Sequence, residues 1–174
     1  MKVPTLETPR LLLRPHRAAD CEAAAAMWAD PAVTRYIGGK PSTEQQTWAR
    51  LLGYAGHWQL LGFGYWAVEE RATGEFVGEA GLADFKRDIE PSMRAVPELG
   101  FAFASRAHGK GYASESVAAV IHWADEQPQA KRTVCLINED HAASLRVVRK
   151  FGYEIFGKTL IADRPVLFLE RIRP

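Results

Sequence analysis

The chain has 174 residues, 47% of them apolar and 25% charged, with a formal net charge of +1 at pH 7. Those values describe one soluble globular domain over residues 1–174, and the near-neutral charge argues against a dedicated nucleic-acid binder, which would carry a strong basic excess. A domain of this length buries roughly 70% of its unfolded surface, so it needs neither disulfides nor a structural metal. The two cysteines, Cys21 and Cys135, form no CxxC pair and read as buried thiols of a reducing cytoplasm. The opening MKVPTLETPR lacks the apolar core of a signal peptide. The longest apolar run, Ala23 to Ala29, is too short to span a membrane.

Leu11 to Leu13 predict a first strand. Asp20 is placed to cap a helix over Cys21 to Ala29, which Asp30-Pro31 stops. Gly38 to Pro41 is a loop. Ser42 or Thr43 then caps a second helix, whose apolar face is read as Trp48, Leu51, Leu52, Ala55 and Trp58 or Gln59, and which ends at Gly62 and Gly64. Phe63 to Glu69 and Glu75 to Asp84 predict an antiparallel hairpin through Arg71-Ala72-Thr73-Gly74, and Lys86 to Pro97 a loop. A central strand runs from about Pro97 to Ala104. The helix from Tyr112 carries Val117, Val120, Ile121 and Ala124 on one face and ends at Pro128. Thr133 to Ile137, apolar throughout, predicts a strand buried on both sides. A helix after Asn138 to Ala142 turns Leu145, Val148 and Phe151 inward and closes at Gly152. Tyr153 to Leu160 and Pro165 to Ile172 are the last strands. The order implies an α/β architecture with a mixed sheet of six to seven strands and about four helices on its faces.

The chemistry concentrates at Glu98 to Glu115, ELGFAFASRAHGKGYASE. Here an apolar strand feeds a turn holding Gly109 and Gly111, and a helix follows. Glycines let the backbone approach a ligand, and the first N–H groups of a helix point out of its end, so strand, turn and helix form an anion site. A P-loop requires GxxxxGK[ST], and Lys110 is followed by Gly111 instead. A dinucleotide fingerprint requires a third glycine where Ser114 stands.

His108-Gly109-Lys110-Gly111-Tyr112-Ala113 resembles the pyrophosphate loop of the GCN5-related N-acetyltransferases, Gln/Arg-x-x-Gly-x-Gly/Ala, with His108 departing at its first position. Asn138 to Tyr153, NEDHAASLRVVRKFGY, is similar to the second coenzyme-A motif of that family: Asn138, Ser144, Lys150, Gly152 and Tyr153 match, and His141 stands where relatives often carry Asn. Residues 8–14 and 30–36 resemble the branch that acetylates N-termini of ribosomal proteins, so the likeness spans nearly the whole chain.

The resemblance implies acetyl transfer from acetyl-coenzyme A to a primary amine by direct attack. It implies that Phe101, Ala102 and Phe103, the turn His108, Gly109, Lys110, Gly111, Tyr112, Ala113 and Ser114, and Asn138 and Ser144 hold the cofactor, whose pantetheine arm enters a gap between splayed strands. A main-chain N–H near Phe101 to Phe103 polarises the thioester, Ser144 protonates the leaving thiolate, and Glu98 is the first choice of base, ahead of Glu79 and Asp84, with a water relay as the alternative. Glu115 points away from the cofactor. The five histidines lack metal-ligand spacing. The implied acceptor is a peptide or protein N-terminus; a small amine (an aminoglycoside, polyamine or amino acid) and a non-catalytic acyl-coenzyme-A-binding module are the alternatives. No nucleic-acid or membrane partner is implied, and a homodimer is compatible with the chain.

Overall fold

The computed structural model describes residues 3–173; Met1, Lys2 and Pro174, with the start of the segment read as lacking a signal sequence, lie outside it. Two short strands open the chain, β1 (Leu6–Glu7) and β2 (Leu11–Arg14). Next come helices α1 (Cys21–Ala29), α2 (Pro31–Thr34) and α3 (Glu44–Leu61), and the hairpin β3 (Tyr65–Glu70) and β4 (Glu75–Ala83). The central strand β5 (Glu98–Phe103) leads into α4 (Tyr112–Asp125), then β6 (Arg132–Asn138), α5 (Ala142–Arg149) and the hairpin β7 (Glu154–Ile161) and β8 (Arg164–Ile172).

The strands form one sheet in the order β1-β2-β3-β4-β5-β6-β8-β7, antiparallel except for the β5–β6 pair. The eighth strand and the fifth α-helix exceed the sequence expectation. β1 is only two residues long, and α2 starts at the very Asp-Pro step that ends α1: the Asp30 carboxylate accepts from Ala32 N–H and Pro31 takes the first turn, where its missing N–H costs nothing.

Leu11, Leu13, Trp66, Val68, Val77, Leu82, Leu99 and Phe103 bury one face of the sheet against Val117, Val120 and Ile121 of α4 and Leu145 and Val148 of α5. Ala67, Phe76 and Ala102 bury the other against Ala24, Met27, Trp28 and Leu51 of α1 and α3, with Val33 of α2. The apolar face of α3 differs from the sequence reading. Thr47, Leu51, Tyr54 and Trp58 turn inward, while Trp48 and Leu52 are exposed. Thr43, not Ser42, is the cap, in a reciprocal capping box with Gln46. Asp20 makes no side-chain cap on α1: its carboxylate is buried in a two-pronged pair with Arg14 at 2.8 Å and accepts from Arg17 N–H, which closes the short 3-10 turn before the helix. Cys135 is buried, but Cys21 is only partly so. Among the described residues no helix is long and apolar enough to cross a membrane.

Candidate active site

The site begins where β5 and β6 part. They are neighbours at a single register, Glu98 opposite Val134, where Val134 N–H donates to Pro97 C=O at 3.0 Å. Beyond that point each strand follows its other neighbour: β5 stays zipped to β4 through Phe103, and β6 to β8 through Asn138. Main-chain polar groups alternate sides along a strand. Since Pro97 C=O points to β6 and Ala104 N–H bonds Val77 C=O on the β4 side, the groups of Leu99, Phe101 and Phe103 face the gap. By the same alternation from Val134, those of Leu136 and Asn138 face it from β6. A wedge with unpaired backbone on both walls is a place for an extended chain to bond as an inserted strand would.

At the open end of β5, His108 Nε2 lies 2.8 Å from Phe103 C=O and ties the turn to the strand. Gly109 and Gly111 adopt φ of +77° and +80°, the left-handed region that glycine enters without penalty. Glu115 N–H makes the first bond of α4, to Gly111 C=O at 3.1 Å. The N–H groups of Gly111, Tyr112, Ala113 and Ser114 find no acceptor among the described residues. A Cβ built on Gly109 would meet nothing within 4 Å, so the turn stands open. Lys150 of the following turn reaches Ser114 Oγ at 3.2 Å and adds a cation. These donors suit a diphosphate.

Arg10 braces the turn from outside, through Lys110 C=O at 2.8 Å, the Tyr112 ring at 4.9 Å and the Glu115 carboxylate. Glu115 also accepts from Thr8 Oγ1 and Arg10 N–H; burial works against its ionised form, but these bonds hold its pKa below the ordinary range. Lys110 is half-exposed, and Arg106 is spent on Phe76 C=O at 2.7 Å.

Two lobes of about 360 and 380 Å³ meet along the gap. The first contains the turn; the second opens between α1, α3 and the β7–β8 hairpin. Ile37, Phe101, Ala102, His141 and Ser144 line both, and so mark the junction. Ser144 is buried, its Oγ 3.4 Å from His141 Nε2. The His141 ring stacks on Tyr36 with centroids 4.5 Å apart. Burial, with a smaller effect of His108, lowers the His141 pKa from 6.5, so the ring is neutral at pH 7. Asn138 also lines the second lobe, and its Oδ1 accepts from Asp140 N–H at 3.0 Å, fixing the turn into α5.

The three acids named from sequence occupy different settings. Glu98 lines the second lobe, with both carboxylate oxygens held by Arg87 at 2.8 and 2.9 Å. Asp84 is committed to Lys86 and to the N–H groups of Lys86 and Ala95. Glu79 is fully buried behind the lobe, accepting from Tyr54 Oη at 2.5 Å and Trp28 Nε1 at 3.1 Å, while its Oε2 has no partner among the described residues. Burial pushes its pKa up to about 7 against those bonds.

Sequence reasoning missed the aromatic wall of this lobe. Tyr54 stacks on Tyr65 with centroids 4.3 Å apart. Tyr65 Oη sits where a Cβ on residue 100 would be, so Gly100 is the one sequence signal for this approach. Arg50 and Tyr36 carried no such signal, because their partners lie on other elements.

The fold, the parted strands and the amide-lined turn make a cleft with an amide-rich end and an end lined by side chains. The sequence profile of the "Acetyltransferase (GNAT) domain" family matches residues 10–154, and the chain belongs to that family of acetyltransferases. A solved structure of a protein from Bordetella pertussis assigned to the GnaT acetyltransferase family superposes with a TM-score of 0.85 at 30% identity, covering 97% of this chain and 99% of that one. The uncharacterized N-acetyltransferase YoaA of Bacillus subtilis is 29% identical over 155 residues, 88% of this chain and 85% of its own. Two more distant structures share the fold, both in complex with coenzyme A. They are RimL, a ribosomal L7/L12 α-N-protein acetyltransferase (TM-score 0.78, 17% identity, 97% and 98% covered), and the aminoglycoside acetyltransferase AAC(6')-Ib (0.75, 16%, 94% and 95%).

Proposed function

We propose that this acetyltransferase moves an acetyl group from acetyl-coenzyme A to the α-amine of a peptide or protein N-terminus by direct attack. The observation that carries the reading is the continuous cleft: an amide-rich turn at one end, a wedge of unpaired backbone in the middle, and a cation-lined lobe at the other. The free N–H groups of residues 111–114 hold the diphosphate, and Phe101 and Leu136 offer main-chain groups to the arm that follows, with only the N–H of Asn138, whose C=O accepts from His141 N–H at 2.9 Å. The cosubstrate supplies an activated acyl thioester. Phe101 N–H, facing the gap beside Ser144, is the donor placed to polarise its carbonyl. As the new C–N bond forms and the C–S bond breaks, Ser144 gives its hydroxyl proton to the departing sulfur, and the proton the amine loses on becoming an amide, carried by solvent, restores the hydroxyl.

The charge of the second lobe bears on the acceptor. Lys40, Arg50, Arg87 and Arg164 line it, and Glu98, already paired to Arg87, is the single acid among the described residues that does. A polycation such as an aminoglycoside or polyamine would meet repulsion there. With Glu98 occupied and Glu79 screened from the lobe, no unpaired carboxylate faces an incoming amine. An α-amine tolerates that: with a pKa of about 7.7–8.0, roughly a third is neutral at pH 7.5, against about 0.1% of a lysine. The test is thiol release from acetyl-coenzyme A over a panel of N-terminal peptides, N-acetyl-lysine amide, spermidine and kanamycin. Turnover with the peptides and not the polycations is expected; the reverse order overturns the proposal.

A further inference from the structure

Arg50 lies on the inward face of α3, three residues from Thr47 and four from Tyr54, both buried. Its guanidinium stacks on the Trp28 ring at 3.9 Å. Its Nε is buried, and among the described residues none of its N–H donors meets an acceptor. Glu79 feels this charge, yet the two form no ion pair within 4.0 Å. A cation turned inward without a counter-ion is unfavourable. Every other arginine lining the lobe has a partner: Arg87 holds Glu98, and Arg164 bonds Arg35 C=O at 2.5 Å, clasping the 35–39 loop to the β7–β8 hairpin. Among the described residues that line the lobe, only Arg50 presents an open fork, held in orientation by an aromatic plane, toward the space where the acceptor enters.

We infer that Arg50 is a specificity site for a carboxylate borne by the amine acceptor. A flat guanidinium braced on an indole matches a carboxylate by two parallel hydrogen bonds. The carboxylate has two sources: an Asp or Glu side chain near a peptide N-terminus, or the α-carboxylate of a free amino acid. The inference rests on the reading of the second lobe as the acceptor side, but its test does not require turnover.

The test is calorimetric titration of the coenzyme-A-loaded protein with peptides Ser-Glu-Ala-Ala, Ser-Ala-Ala-Ala and Ser-Lys-Ala-Ala, each C-terminally amidated, and with free serine and glutamate. The acidic peptide or a free amino acid binds at least about tenfold more tightly than the neutral and basic peptides. Which of the two does so identifies the source. Arg50→Gln abolishes that preference and leaves the neutral peptide within about twofold, while Arg50→Lys restores part of it, since a point charge cannot form the fork. Equal binding of acidic and neutral ligands overturns the inference. So does an Arg50→Gln variant that weakens all ligands alike, which is what a merely structural arginine would show. Absence of thiol release with every acceptor, alongside a retained acidic preference in binding, would instead count against the proposed reaction and not against this site.

Discussion

Replacing Gly111 by Asp tests the grip on the diphosphate. The residue sits at φ +80°, directly before the first turn of α4, and its own N–H and the next three are the unpaired donors. Two effects must be separated. A Cβ in this left-handed conformation costs about 1 kcal/mol; its nearest neighbour would be the flexible end of Arg10 at 3.4 Å, which can move. That part is common to Gly111→Ala and, for a chain of this size, lowers Tm by about 3 °C. The second effect belongs to Asp alone. Its carboxylate stands where the phosphates must sit and competes for the same N–H groups. Each contact of a charge with a helix N-terminus is worth about 0.3–1 kcal/mol, so reversing two or three amounts to about 2 kcal/mol, or some thirtyfold in affinity. Calorimetry should therefore show coenzyme A binding at least about tenfold weaker to Gly111→Asp than to Gly111→Ala, with the gap narrowing as salt rises. Acetyl-pantetheine, which lacks the diphosphate, should bind both variants alike. Equal affinity of the two variants for coenzyme A would remove the turn from the site.

Other expectations follow from the same geometry. Ser144→Ala should lower turnover by about a hundredfold with little change in coenzyme-A affinity, since its hydroxyl is assigned to proton transfer and not to binding; an unaltered rate would move the acid elsewhere. Glu79 has its pKa raised by burial from 4.5 to about 7. The stability this group supports is therefore complete below about pH 4.5, declines as the pH climbs, and levels off above about pH 7, a total of about 3 kcal/mol. Glu79→Gln should lack that slope, so urea unfolding would find the variant gaining on the native chain between about pH 5 and pH 8; parallel pH profiles would refute the assignment. Asp20→Ala, which strips a buried partner from Arg14, should cost about 3 kcal/mol in the same measurement. A loss below about 1 kcal/mol would mean that Glu69, at 2.7 Å, suffices alone.

The half of the cleft proposed to take the cofactor was legible in the sequence as a turn between strand and helix, because it is local. A glycine pair between an apolar strand and a helical period lies within a few residues, and Ser144 follows Asn138 on the next turn. Of the acceptor half only Glu98 of β5 was named from the sequence; the rest was not legible, because it is assembled across elements: Arg50 and Tyr54 from α3, Trp28 from α1 and Tyr65 from β3. The misread face of α3 shows why. Counting apolar residues brings in Trp48 and Leu52, both exposed, and passes over Thr47 and Tyr54, both buried. Polarity alone cannot tell a helix face that meets solvent from one that meets a polar cleft. Asp20 was misjudged for a similar reason, since its partner Arg14 lies in a strand and outcompetes the local cap.

The parting of β5 and β6 and the cationic lobe have related physical origins. A sheet that stayed bonded past Val134 would satisfy its own backbone and leave no donors for a second molecule; a lobe whose arginines were all paired would likewise present no charge to one. In both places the fold leaves strong hydrogen-bonding groups without internal partners, against the rule that buried polar groups find them. At the turn and the wedge those groups are main-chain amides, neutral and closely spaced, which suits a phosphate tail and an extended arm. In the lobe it is a fixed cation, which suits an anion at a defined distance from the amine. Restoring the missing partner internally is the sharpest discriminant, because it changes the state of the donors without removing them. A Trp28→Glu substitution would set a carboxylate beside the Arg50 guanidinium, and Trp28→Gln, which removes the same indole brace and Glu79 donor without adding a charge, is its control. Acidic acceptors should then lose their advantage while coenzyme-A affinity at the distant turn stays within about twofold. A parallel loss of both would mean that the two halves are not independent sites.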